Sequence, residues 1–368
     1  MSIQRSAHGG DIYENQVKYD FSVNTNFLPL AESVREKIAQ SVTVMDCYPQ
    51  YQNVRIRQAI AQTLSLSDSQ VLCGNGASEL FAAVIHAVRP QKVVIPVPSF
   101  SGYEWAAHMV DAEICFVPLR EENNFEITDR IQAFLEGAQL LFLASPANPV
   151  GNVIGEPVLR EILWECQRRN ITVILDECFI GFTGKKGYAE WIREFTNLVV
   201  VRAFTKLYGI PGIRLGYLIA EEAFCAKVAR QLPEWNVSAV AQQAGLAILG
   251  NDREKAWNRE QYVEETVRCV RQEREFLVGG VKKILGDEIT IFPSEANFLL
   301  LKTRYPLYES LLARGILIRD CANYRGLGDG YYRIAVKDHA ANEILLKILS
   351  GVTAHSSLQE PWRHGIFQ

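Results

Sequence analysis

Lys206 lies in the segment Phe204-Thr205-Lys206-Leu207-Tyr208-Gly209-Ile210-Pro211-Gly212-Ile213-Arg214, between two short apolar runs. A primary amine placed just after a strand can form an imine with a carbonyl compound if neighbouring cations keep it unprotonated. Arg214 follows eight residues later and offers a planar fork of donors suited to a phosphate. Taken alone, this spacing also describes a surface lysine near a Gly/Pro turn.

Three other segments carry groups of the same kind. In Gly74-Asn75-Gly76-Ala77-Ser78-Glu79 the glycines separate an apolar run ending at Cys73 from a helical pattern beginning at Leu80. Backbone N–H groups and the positive end of a helix dipole meet an anion at such a junction, and Ser78 adds a hydroxyl. A dinucleotide fingerprint is not completed, because Glu79 stands at the third glycine position. A plain glycine turn before a helix has the same pattern. Ser145-Pro146-Ala147-Asn148-Pro149-Val150-Gly151 is a stiff turn after the apolar run Leu140–Leu143. It puts the Asn148 amide at the C-terminal end of a strand, where sites in parallel sheets lie. Thr172-Val173-Ile174-Leu175-Asp176-Glu177 delivers two carboxylates at another strand end. A carboxylate beside a core needs a partner, and a protonated ring nitrogen is one. Metal binding lacks a nearby histidine or second acidic cluster, and a helix-capping carboxylate remains the other reading.

These segments must be positioned by elements that the hydrophobic periodicity predicts. Candidate strands are 92–96, 140–143, 172–175, 198–201 and 215–219. Amphipathic helical stretches at 79–88 and 157–169 lie between them; Leu159, Ile162, Leu163 and Cys166 recur on one helical face. Strands alternating with helices imply an α/β fold with a mostly parallel sheet covered on both faces. After Ala223 the pattern predicts a long helical region to about Leu285. A strand (296–301), a helix (306–314), two strands (316–319 and 331–336) and a helix (340–349) follow as a small α+β unit. The residues after Gly351 read as an extended tail. The expected domains are a large one over 41–265 and a small one from 1–40 with 266–368.

Composition excludes several classes. The 368 residues are 48% hydrophobic and 22% charged, with a formal net charge of −4, so neither a nucleic-acid-binding surplus nor a disordered acidic tail is present. No apolar run approaches the roughly 20 residues that span a bilayer. The polar start, Met1–Gly10, lacks the apolar stretch of a signal peptide, and a cytoplasmic location is expected. Eight cysteines occur singly with no C-x-x-C pair, which suggests neither a zinc site nor a disulfide framework.

Gly-Asn-Gly-Ala-Ser, Pro-Ala-Asn-Pro-Val-Gly, Asp-Glu, and Thr-Lys followed by Pro-Gly-Ile-Arg occur in this order across nearly the whole chain. Together they resemble the fold-type-I class I/II aminotransferase family, whose fold is that of aspartate aminotransferase and whose cofactor is pyridoxal 5′-phosphate. The resemblance implies that Lys206 bonds the cofactor's aldehyde and later shuttles protons, and that Asp176 faces the ring nitrogen. It implies that Asn148 bonds the ring 3-oxygen and that Phe100 stacks on the ring. Gly76, Ala77, Ser78, Thr205 and Arg214 then hold the phosphate. Tyr48 matches a tyrosine that reaches the cofactor phosphate of a neighbouring subunit, so a homodimer is expected. Arg333 matches the arginine that forks onto a substrate α-carboxylate. Phe179 departs from the pattern: many relatives carry a tyrosine there that bonds the 3-oxygen.

Within the family the chain is most similar to two groups acting on phosphorylated amino compounds, the histidinol-phosphate aminotransferases and the threonine-phosphate decarboxylases of cobalamin biosynthesis. Asp20-Phe21-Ser22-Val23-Asn24-Thr25-Asn26, His8-Gly9-Gly10 and the stretch from Ile318 to Leu327 favour the decarboxylases, as does Phe179. A phosphorylated substrate needs a second anion seat besides Arg333; His8, Asn24 and Arg319 are the expected donors. Decarboxylation requires the Cα–carboxylate bond to stand perpendicular to the cofactor ring, and transamination requires the Cα–H bond there instead. The expected reaction is loss of CO₂ from L-threonine O-3-phosphate, with histidinol-phosphate transamination as the alternative.

Overall fold

The computed structural model describes residues 8–13, 15, 17–250 and 257–356. The start of the leader-peptide reading (residues 1–7) and the tail beyond 356 lie outside the described residues.

A seven-stranded sheet runs in the order Val71–Gly74, Gly216–Ile219, Leu198–Ala203, Thr172–Asp176, Leu140–Ala144, Lys92–Val97, Glu113–Pro118. The last five strands are mutually parallel, and Gly216–Ile219 runs antiparallel to both of its neighbours. The inner strands read as unbroken Val/Ile/Leu runs because both faces are covered. Successive side chains therefore alternate between two cores. Leu140, Phe142, Ile174 and Val199 pack under the helices Ala77–Val88 and Gly102–His108. Leu141, Leu143, Val173, Leu175 and Val200 pack under the helix Glu156–Arg168, through its Leu159, Ile162, Leu163 and Cys166. The expected α/β architecture, a mostly parallel sheet covered by helices on both faces, is present.

A smaller antiparallel sheet is ordered Arg319–Asp320, Tyr331–Ala335, Phe298–Thr303, Ile289–Ile291. Its core contains Leu299, Leu301 and Ile334 with Leu277 and Val281 of the helix Arg259–Leu285 and Leu345 and Leu349 of the helix His339–Ser356. The helix Arg259–Leu285 crosses position 265: Tyr262 packs with the large-sheet side, while Leu277, Val281 and Leu285 pack with the small sheet. The N-terminal segment divides likewise, with Phe21 in the small core and Leu30 and Val34 beside Ile56 and Phe204 in the large one.

Several expectations are corrected. The single helical region after Ala223 is three helices, Glu222–Ala229, Ala239–Leu249 and Arg259–Leu285. Ser238 and Asn258 cap the second and third by accepting from Ala241 N at 3.1 Å and Gln261 N at 3.0 Å. Gly250, at φ 71°, ends the second in a left-handed conformation. The strand expected at 316–319 breaks at Ile318: Ile316–Leu317 pairs with Tyr19–Asp20, and Arg319–Asp320 pairs with Tyr331–Ala335. The final helix continues to Ser356, so the chain is not an extended tail directly after Gly351.

Candidate active site

Three parallel strands deliver the site. Ala144, Asp176 and Val201 lie side by side in register at the ends of their strands. The turn holding Asn148 leaves the first, Asp176 ends the second, and the short helix Phe204–Leu207 carries Lys206 just past the third. Beneath them a buried pair fixes the strand ends: Glu177 accepts from Arg202 Nε at 2.8 Å and from Tyr188 N at 2.8 Å.

A cavity of about 430 Å³ opens over these ends. Its walls bring together Lys206, Asp176, Asn148, Phe100, Ala77, Ser78, Thr205, Arg214, His8, Asn24, Arg319 and Arg333. Gly76 stands just behind this lining at φ +78°, and a Cβ there would collide with the Arg214 guanidinium. Tyr48 is not brought to the cavity; it is 82% exposed and packs on Trp235 with ring centroids 5.0 Å apart.

At one end of the cavity the helix Ala77–Val88 begins, with Ser78, Thr205 and Arg214 around its first turn. Glu79 holds the preceding loop by accepting from Asn75 N at 2.7 Å and from Asn236 Nδ2 at 2.8 Å. A helix start lined by a hydroxyl pair and a guanidinium suits an anion.

In the middle lie the amine and the carboxylate. Burial, then the Arg333 guanidinium, pushes the Lys206 amine down to about 8. The Phe179 ring lies 6.0 Å from its Nζ. Burial raises the Asp176 carboxyl above its ordinary value, and donations from Cys178 and Tyr103, with Lys206 nearby, offset only part of that rise. Asp176 Oδ2 accepts from the Tyr103 hydroxyl at 2.6 Å and Oδ1 from Cys178 N at 2.9 Å.

At the far end Arg333 donates from Nη1 to Asn148 Oδ1 at 2.5 Å and from Nη2 to the Ser22 carbonyl at 2.7 Å. Tyr324 donates its hydroxyl to the same Asn148 oxygen at 3.3 Å, which leaves the Asn148 amide nitrogen as its donor. Arg319 is held by Asn323 at 2.6 Å and by the Asp320 carbonyl, with Tyr324 under its guanidinium. His8 lies 6.0 Å from the Phe100 ring, and burial followed by the two arginines lowers its pKa. Among the described residues, the buried Asn24 Nδ2 and Arg333 Nε have no hydrogen-bond partner.

The residues fit pyridoxal 5′-phosphate. An amine of lowered basicity, a buried carboxylate, an aromatic wall and a helix start suited to an anion line one cavity, with Arg333 and Arg319 on its wall. Tyr103, Tyr324 and Cys178 were not assigned roles from the sequence. Tyr103 follows Phe100 by one helical turn, and that spacing was the available signal.

The chain belongs to the aminotransferase class I and II family, which it matches over residues 16–349, and it is a pyridoxal-phosphate-dependent enzyme. It is 34% identical over 366 residues to the threonine-phosphate decarboxylase of Salmonella typhimurium, covering 96% of this chain and 98% of that one. The crystal structure of the histidinol-phosphate aminotransferase from Clostridium acetobutylicum superposes with a TM-score of 0.83 at 30% identity, over 92% of this chain and 99% of that one. That of the L-threonine-O-3-phosphate decarboxylase from Porphyromonas gingivalis gives 0.77 at 26% identity, over 91% and 99%. No helix among the described residues is long and apolar enough to cross a membrane.

Proposed function

We propose that the protein decarboxylates L-threonine O-3-phosphate to (R)-1-amino-2-propanol phosphate, a step of cobalamin biosynthesis. The observation that carries the reading is the presence of two buried arginines, Arg319 and Arg333, on one small cavity, with His8 and Asn24 beside them. A substrate with two anionic groups neutralises two such guanidiniums, and burying either alone is costly. Arg333 takes the carboxylate; Arg319, His8 and Asn24 take the phosphate. The likeness to the Salmonella typhimurium decarboxylase over the full chain supports the same choice.

The bound cofactor supplies an aldehyde and an electron-withdrawing ring. Ala77, Ser78, Thr205 and Arg214, with Gly76 behind them, would hold its phosphate. Asp176 would face the ring nitrogen, Asn148 would donate to the 3-oxygen, and Phe100 would cover the ring. Once the carboxylate has left as CO₂ and its bond pair has been accepted by the electron-withdrawing ring, the Lys206 ammonium would return a proton to Cα and regain one from solvent; its depressed pKa lets it lose and take up a proton near neutrality. Phe179 contributes no hydroxyl to the 3-oxygen, so that oxygen relies on Asn148. The functional unit is a homodimer in which Tyr48 reaches the phosphate of the partner's cofactor; sedimentation of the holoenzyme tests this.

The test of the reaction compares two assays: CO₂ release from threonine phosphate, and glutamate formation from histidinol phosphate with 2-oxoglutarate. Activity in the first is expected, and activity in the second alone overturns the proposal. The superposition on the Clostridium acetobutylicum aminotransferase makes the second assay the necessary counterpart.

A further inference from the structure

Tyr103 is a buried titratable group to which the proposed reaction assigns no role. It lies on the helix Gly102–His108 and is 2% exposed. Its ring stacks on Phe142 with centroids 4.7 Å apart, and Phe81 and Phe100 meet it edge-on at 5.3 and 5.7 Å. This clamp fixes the ring, and phenylalanine would fill it equally well. The hydroxyl is therefore not explained by packing. A hydroxyl in such surroundings must find a partner, and the partner is Asp176 Oδ2, at 2.6 Å. With Cys178 N on Oδ1, both carboxylate oxygens are held by donors from the chain itself.

We propose that Tyr103 is a positioning residue for the cofactor: its hydroxyl keeps the Asp176 carboxylate ionised and oriented in the pocket that receives the pyridine ring. The inference rests on the reading of Asp176 as the partner of the ring nitrogen. A carboxyl buried among aromatic rings takes up a proton unless donors or cations favour its charged form, and a protonated Asp176 is no counter-ion for a cationic ring. The charged or titratable groups around it are Lys206, beyond the neighbouring strand, Cys178 and Glu177, which follow it directly, and Tyr103 itself. Glu177 is tied to Arg202 at 2.7 Å. Lys206 supplies positive charge only while protonated. The phenol of Tyr103 is driven further from ionisation by burial and by Asp176, so it keeps its proton and donates throughout the working range.

The experiment titrates apoprotein with pyridoxal 5′-phosphate by equilibrium dialysis, from acid to neutral pH, for the wild type, Tyr103→Phe and Asp176→Asn. In Tyr103→Phe the acid-side midpoint of affinity is expected to move up by about one pH unit, a tenfold loss of affinity on that limb. The apoprotein melting temperature reports the aromatic clamp separately. An unmoved acid limb in a folded Tyr103→Phe protein overturns the role of the tyrosine alone. Retention of the wild-type acid limb in Asp176→Asn overturns instead the reading of Asp176 on which the inference rests. Should Tyr103→Phe not fold, isotope-edited infrared difference spectra between wild-type apoprotein and Asp176→Asn decide. An ionised carboxylate at neutral pH is expected, and a protonated one overturns the proposal.

Discussion

Arg333 and Asn148, 185 residues apart in the chain, share a hydrogen bond of 2.5 Å. The bond joins the small antiparallel sheet to the turn at the end of a large-sheet strand, so the groups proposed to read the substrate and to donate to the cofactor are set by one contact. Arg333 also holds the carbonyl of Ser22.

Arg333→Lys is predicted to leave cofactor binding nearly intact and to raise KM. A lysine ammonium cannot serve Asn148, the Ser22 carbonyl and a substrate carboxylate in one planar geometry. Losing a buried, hydrogen-bonded charge contact costs about 2–5 kcal/mol, or roughly thirtyfold or more in kcat/KM. Steady-state kinetics checks this; an unchanged KM places the carboxylate elsewhere.

Lys206 sets the pH dependence of cofactor capture. Its amine is depressed from 10.5 to about 8, so its neutral form gains population as pH rises towards that value. Near pH 7 roughly one molecule in ten carries the neutral amine, against fewer than about one in a thousand for an unperturbed lysine. Stopped-flow absorbance should show the rate of pyridoxal 5′-phosphate capture rising with pH and levelling above about 8, as the cited shift dictates. A rate still climbing through the range of an ordinary lysine contradicts the buried environment. Lys206→Ala should lose the visible absorption band of the bound cofactor.

Gly76→Ala is predicted to weaken cofactor affinity by about tenfold or more while the chain still folds. The added methyl is strained at φ +78° and drives into the Arg214 guanidinium. Equilibrium dialysis measures this, and an unaltered dissociation constant removes Gly76 from the anion seat.

Glu177→Ala should destabilise the apoprotein by about 3–5 kcal/mol, because Arg202 is left buried without its carboxylate. The denaturant midpoint should fall with an unchanged slope. An unmoved midpoint shows that the pair is dispensable for holding the strand ends.

The parallel strands were legible because burial on both faces leaves near-continuous Val/Ile/Leu runs. Lys206, Asn148 and Arg214 stood out in short motifs bounded by Gly or Pro and Asp176 as a carboxylate ending an apolar strand, and the four line one cavity. The edge strand Glu113–Pro118 was missed although Ile114-Cys115-Phe116-Val117 is an apolar run, because it is bounded closely by Glu113 and Pro118 and lies half-exposed at the sheet edge. The breaks after Ala229 and Leu249 carried signals that the helical periodicity overrode: Pro233 stands in the first linker, and Gly250, left-handed in the fold, closes the second helix. Tyr103 escaped for a different reason: its partner Asp176 lies 73 residues away, and only the packing of the helix Gly102–His108 on the sheet brings them together. The Arg333–Asn148 bond is hidden in the same way.

The most direct measurement is mass spectrometry of the products when the holoenzyme meets threonine phosphate in D₂O. The account predicts one CO₂ per turnover and aminopropanol phosphate carrying a single deuterium on the former Cα. Recovery of the corresponding 2-oxo acid with its carboxylate retained would contradict it.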